Sequence, residues 1–205
     1  MLVVPDEFIL VLFMMAIHCV THSFSILAFV APARKKFFTP EHLGQFAEDH
    51  KKEYPENEGV DPTGNPDQGT GWYSKKMPLK EWVEMNTKIR ASLNYMETLP
   101  LILIPAPIAA LYFPLPALGF IIGAWSGNFM YMCGYAAPPG ESGFKVIRPL
   151  GVLIRVLCIL GNIICAMWSS IEVIKYGGKL MKVEGDRILC IKDTKSIGCT
   201  RKGKY

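Results

Sequence analysis

The sequence predicts an all-α integral membrane protein, a bundle of four transmembrane helices. Three observations carry that expectation. Half of the 205 residues are hydrophobic and mean hydropathy is +0.23, too apolar for an ordinary soluble domain of this length. Four apolar runs are each long enough to cross a bilayer. Charged residues gather between those runs and after the last one. The net charge of +4 is modest and carries no nucleic-acid signal.

The first span is residues 8–31. At about 1.5 Å per residue it covers about 36 Å, enough to cross with tilt. Asp6 and Glu7 precede it where a secretory signal would carry basic residues. Arg34, Lys35 and Lys36 close it. A long polar connection, residues 32–78, follows, and its stretch 53–70 is rich in Pro, Gly, Asn and Asp. The second span starts as an amphipathic helix near Leu79 and becomes fully apolar from Leu99 to Phe113, with Pro105 and Pro107 bending it. Pro114 and Pro116 are expected to make a tight turn. The third span runs from about Ala117 to Ala136 and breaks at Pro138, Pro139 and Gly140. The fourth runs from about Val146 to Ile174, ended by Gly177 and Gly178. A basic tail with one candidate strand, Arg187 to Ile191, completes the chain. The expected division is a helical domain, 1–176, and the tail, 177–205. Basic residues flank span one and fill the tail, which four spans put on opposite sides, so the positive-inside rule gives opposing votes.

Arg90, Asn94 and Glu97 fall at i, i+4 and i+7, on one helix face, directly ahead of an apolar run. Such groups at a membrane mouth line a binding site or pair across an interface. A guanidinium, an amide and a carboxylate together satisfy a zwitterionic peptide; a structural ion pair is the plainer alternative. Tyr131 and Tyr135 stand one turn apart near the end of span three, either an interfacial belt or a hydroxyl pair reaching the same pocket. Arg155, about seven residues into span four and one i+7 step after Arg148, needs a partner, with Glu97 one candidate. His18 and His22 have metal-ligand spacing, but no carboxylate or cysteine is set to complete a site, so interhelical hydrogen bonding is the expectation. The six cysteines form no CxxC pair, and no disulfide framework or metal site is expected. The glycine pairs at 69/71 and 177/178 lack phosphate-loop spacing.

These residues resemble a family: the membrane-associated proteins in eicosanoid and glutathione metabolism (MAPEG), which include the microsomal glutathione transferases. The matching signature is R-A-x-x-N-x-x-E-x-x-P, from Arg90 to Pro100. Ala33, Arg34 and Lys35 followed by Phe37 resemble the end of the family's first helix. Tyr131 and Tyr135, with Gly134 before the second, resemble the tyrosine pair of its third helix. The segment from Gly69 through Trp72 to Ser74 looks like microbial members. The resemblance covers roughly residues 1–176.

It implies a trimer-forming four-helix bundle with glutathione, as co-substrate, held between subunits in the membrane. By position Arg34, Arg90, Asn94, Glu97, Tyr131 and Tyr135 would contact it. The implied activity is a transferase or peroxidase acting on lipophilic electrophiles or lipid hydroperoxides. Free thiols are mostly protonated at pH 7, so an arginine must stabilise the thiolate. Here the sequence departs from the family. It has Asn128 where an Arg commonly stands three residues before the first Tyr. It has Ser142 where the thiol-activating Arg falls. The catalytic candidates left are Lys145, Arg148 and Tyr135. The alternative expectation is a catalytically silent accessory subunit, surrounded by membrane lipids and unlike chains. A channel or transporter using His18, His22 and Arg155 is the remaining option. The expected location is the endoplasmic reticulum or a mitochondrial membrane, with a plastid membrane as a further choice.

Overall fold

The computed structural model describes residues 6–56, 59–137 and 143–180. All regular structure among them is helical. Helix α1, Asp6–Ser25, runs through a π-helical turn, Ile26–Val30, into α2, Ala31–Phe37. The short helices α3, Pro40–Gly44, and α4, Ala47–Glu53, follow. After an irregular stretch and a 3-10 turn, Ser74–Lys76, come α5, Leu79–Leu103, and α6, Pro105–Ala110. Helices α7, Pro114–Ala136, and α8, Arg148–Leu180, complete the order, with a second π-helical turn, Gly143–Ile147, leading into α8.

Both π turns stand just ahead of a proline, Pro32 or Pro149. Proline has no N–H, and its ring strikes the carbonyl four residues back in a regular helix. The wider turn takes up that clash: the Ala31 N–H donates to the Ile26 carbonyl, five residues back. The first helix therefore continues to Phe37 instead of stopping near residue 31. The sequence-predicted second span is divided at Ile104, because Pro105 cannot continue the ladder, and it ends at Ala110, short of Phe113. Pro114 and Pro116 do not form the turn. They open α7, where the missing N–H groups have no helical partner to lose. Helix α8 passes through Gly177 and Gly178 to Leu180; glycine costs a helix about 1 kcal/mol per residue without forbidding it. The predicted break at 138–140, Ser142 and the predicted strand at 187–191 lie outside the described residues.

Among the described residues three helical stretches are long and apolar enough to cross a membrane: Asp6–Phe37, Leu79–Ala110 and Lys145–Lys175. Only 17% of the first one's apolar window is buried inside the chain. Phe13, Val20, Phe24 and Leu27 consequently face outward, a surface that water penalises and lipid does not. Helix α7 is as long as a span and uncharged, but Asn128, its tyrosines and four glycines lower its hydropathy. It is the central helix, packed on α1, α5, α6 and α8. Its packed faces carry small and polar residues, while Leu115, Ile122 and Phe129 stay exposed.

The main core is built from small and branched residues: Val11, Ile102, Ala106, Ala109, Ala117, Ile121, Ala124 and Ile159. A second core seals the polar connection against α2 and α5 through Phe37, Phe38, Leu43, Met77, Met85 and Ile89.

Candidate functional site: a polar cluster between three helices

Helices α7 and α8 run antiparallel and meet backbone to backbone. A Cβ added at Gly127 would stand 2.6 Å from the Arg155 nitrogen, and one at Gly151 would stand 2.5 Å from the Tyr131 nitrogen. Only glycine permits that approach, and it sets the level at which α7 and α8 side chains face each other. The signal lay in the sequence as Gly119-x-x-x-Gly123-x-x-x-Gly127, a small-residue spacing typical of close membrane crossings.

That crossing brings the predicted residues of two helices together. Asn94 Nδ2 on α5 donates to the Tyr131 hydroxyl at 3.0 Å. The rings of Tyr131 and Tyr135 lie 5.4 Å apart. From α8, Arg155 covers the Tyr131 ring at 4.6 Å and Arg148 covers the Tyr135 ring at 5.3 Å. The i, i+7 arginines thus match the i, i+4 tyrosines across an antiparallel pair. Arg155 Nη1 also donates to Asn128 Oδ1 at 3.2 Å. Thr98 Oγ1 lies 3.3 Å from the same oxygen, while its single proton serves the Tyr95 carbonyl at 2.9 Å. Arg155 therefore finds its contacts in Tyr131 and Asn128, with Glu97 near enough for its charge to act on it. A desolvated cation over an aromatic face is worth about 2 kcal/mol.

The cluster is not saturated. Asn128 is only 1% exposed, yet among the described residues its Nδ2 has no hydrogen-bond partner, and neither does the buried Nε of Arg155. Each such donor costs about 1–3 kcal/mol in a closed site. Arg90 and Glu97 face each other at 3.7 Å with side chains 49% and 59% exposed, on the open side of α5. Lys145 is exposed, one turn before Arg148. Asn128 and Arg155 are the residues whose pairing sequence reasoning missed.

Arg34 is engaged elsewhere. Its guanidinium donates to the Thr63 carbonyl at 2.8 Å, to Asn65 Oδ1 at 2.9 Å and to the Asp67 carbonyl. It ties the end of α2 to the connection that follows. That connection folds around the Asp67 carboxylate, which is 4% exposed. Oδ1 accepts from the Gly69 and Gly71 amides and Oδ2 from the Ser74 amide, each at 2.7 Å; Oδ2 also accepts from the Ser74 hydroxyl at 2.6 Å. Gly71 must be glycine, since a Cβ there would stand 2.7 Å from the carboxylate carbon. Burial alone would raise the Asp67 pKa; bonds from Ser74, Gly71 and Gly69 outweigh it and hold the group below the usual carboxylate range. A cleft of about 660 Å³ lies beside this segment, lined by Phe46, His50, Tyr54 and Trp72 among others. It is separate from the α5/α7/α8 cluster.

The two histidines of α1 join helices. His18 is fully buried. Its Nε2 donates to the Ile121 carbonyl at 3.2 Å, which leaves Nδ1 to accept from the Tyr95 hydroxyl at 3.0 Å. His22 stacks on Tyr95 with ring centres 5.9 Å apart. One imidazole thus links α1, α5 and α7. No protein-family model, curated protein or solved structure matches this chain.

Proposed function

We propose that this chain is a four-span membrane protein of the MAPEG kind that binds glutathione against the α5/α7/α8 cluster. The reaction is thiolate attack on a lipophilic electrophile, or reduction of a lipid hydroperoxide by two thiols to alcohol, water and disulfide. One observation supports it most: the Asn94–Tyr131 hydrogen bond. It joins the α5 signature to the α7 tyrosine pair, two motifs 37 residues apart that had only the resemblance in common. The half-exposed Arg90 and Glu97 suit a zwitterionic ligand held between copies of the chain, as a trimer would require. The central α7, with Leu115, Ile122 and Phe129 exposed, then serves as the fourth span.

Titration calorimetry in detergent tests the reading directly. Glutathione should bind at millimolar concentration or tighter. Absence of heat across that range removes the enzyme.

The second reading is a silent accessory subunit in a membrane assembly of unlike chains. What favours it is Arg34, whose guanidinium is committed to Thr63, Asn65 and Asp67 of its own chain. On that reading, purification from the native membrane in mild detergent yields a stoichiometric set of different proteins and no glutathione binding. A homotrimer with glutathione affinity defeats it.

A further inference from the structure

We propose that the cleft beside the Asp67 turn binds a phosphocholine group, with the trimethylammonium among aromatic rings and two carboxylates and the phosphate on Lys52. The cleft holds about 660 Å³, inside the range of about 300–1,000 Å³ usual for small-molecule sites. It belongs to the polar connection and lies apart from the α5/α7/α8 cluster, so the inference does not rest on the glutathione reading.

The lining has an aromatic part and a charged part. Phe46, Tyr54, Trp72 and Tyr73 supply the rings. Phe46 is 1% exposed and meets the Tyr73 ring edge-on at 5.2 Å. The Asp67 carboxylate accepts from the Gly71 and Ser74 amides, on either side of Trp72 and Tyr73. That turn sets their backbone before any ligand arrives, the usual state of a small-molecule site. Trp72 and Tyr54 are 63% and 58% exposed. Both lie outside the three apolar stretches, so hydrocarbon does not account for two large rings left open. The charged part is α4. Asp49, Lys52 and Glu53 all line the cleft, at i, i+3 and i+4, a spacing that shares one helix face. Among the described residues none of the three belongs to an ion pair.

The chemistry of this lining selects the ligand. The rings already draw cations from the chain itself: Lys76 Nζ stands 4.4 Å from the Phe46 ring centre and Lys75 Nζ 5.5 Å from that of Trp72. A lysine ammonium is strongly hydrated and gains little there. A quaternary ammonium has no N–H to hydrate, and aromatic-lined sites are the usual means of holding one. Asp49 and Glu53 supply its counter-charge. A simple cation would leave Lys52 facing like charge. A zwitterion that carries a phosphate next to its ammonium answers all three charges of α4.

Calorimetric titration of the intact protein in a maltoside detergent is the test. Phosphocholine should bind in the millimolar range or tighter, and more tightly than phosphoethanolamine, which lacks the methyl groups the rings take. Trp72→Ala should weaken phosphocholine about fivefold or more. Asp49→Asn combined with Glu53→Gln should weaken phosphocholine and free choline alike, whereas Lys52→Met should weaken phosphocholine only. The α4 side chains changed here are exposed, so these variants carry the test if Trp72→Ala does not fold. Phosphatidylcholine that stays with the purified protein one to one, and is released by phosphocholine, identifies a lipid headgroup as the source. Protein that retains no lipid yet binds phosphocholine takes the free compound. Either source supports the site. No phosphocholine binding through the millimolar range overturns it, and so does an affinity equal to that for phosphoethanolamine or unchanged in every variant.

Discussion

Arg155 lies with its guanidinium carbon 4.6 Å above the centre of the Tyr131 ring, although 24 residues and the whole α7–α8 connection separate them in sequence. The contact exists because Gly127 and Gly151 let the two backbones touch. The site's geometry therefore depends on residues that carry no chemistry.

Gly127→Ala and Gly151→Ala should each destabilise the bundle by about 1–3 kcal/mol, the usual cost of overpacking. Each added methyl meets backbone at 2.5–2.6 Å, and backbone cannot rotate away as a side chain can. Thermal unfolding in detergent reads the effect. Melting temperatures unchanged from wild type would mean the helices are further apart than described.

Arg90→Ala separates binding from folding. Its pair with Glu97 is 3.7 Å long and half-exposed, so its loss should change stability by less than about 1 kcal/mol. Glutathione affinity should fall by about 1.5–3 kcal/mol, the loss of a charge-assisted contact. Equal affinity in the variant and wild type would remove Arg90 from the site.

His18 and Tyr95 should be strongly coupled. His18→Phe removes the Tyr95 hydroxyl's bond to the imidazole and leaves it Thr21, and Tyr95→Phe strands His18 Nδ1. Each should cost about 1–3 kcal/mol. Once either partner is gone, removing the other should cost much less. A double-mutant cycle measures this, and strict additivity would contradict the bond.

The Asp67 loop should respond to acid. Its folded pKa is held below the usual carboxylate range, so the unfolded loop takes up a proton first as pH falls. The stabilisation is complete above the unfolded value of about 3.9 and is lost as pH drops through the lower folded value. Amide shifts of Gly69, Gly71 and Ser74 should titrate together in that window. Asp67→Asn should abolish the titration and loosen the loop by about 2 kcal/mol. Titration at or above the ordinary carboxylate value would refute the arrangement.

Much of the fold was legible because hydropathy and helix length dominate a membrane chain. All four expected helical segments exist, and the three most apolar are long enough to cross. The errors fall at prolines. Pro114 reads as a turn in sequence but opens a helix, and the π turns ahead of Pro32 and Pro149 have no signal in the hydropathy pattern. Sequence alone does not say whether a helix will widen or stop. The α5 and α7 residues of the candidate site were legible from spacing, because spacing fixes which side chains share a face. Arg34's attachment to its own loop was not, because it depends on how residues 61–74 fold back. Nor was the pairing of Asn128 with Arg155, which depends on the relative height of two helices. The Gly119, Gly123 and Gly127 spacing stands in the sequence, but it does not say which level of α8 it meets.

The π turns ahead of Pro32 and Pro149 have a consequence for how this chain tolerates change. Each holds one more residue than an ordinary helical turn would. Deleting any one residue from 26–30 could restore a plain α-helix at the cost of a new clash with Pro32, and would swing everything beyond it by about 100°. Arg34 would then leave Thr63, Asn65 and Asp67. A deletion within 143–147 would likewise remove the wide turn that precedes Pro149. Length at these two points is therefore as constrained as identity. Paired with Pro32→Ala or Pro149→Ala, the same deletions should be tolerated far better, since the extra residue and the ring that demands it would go together.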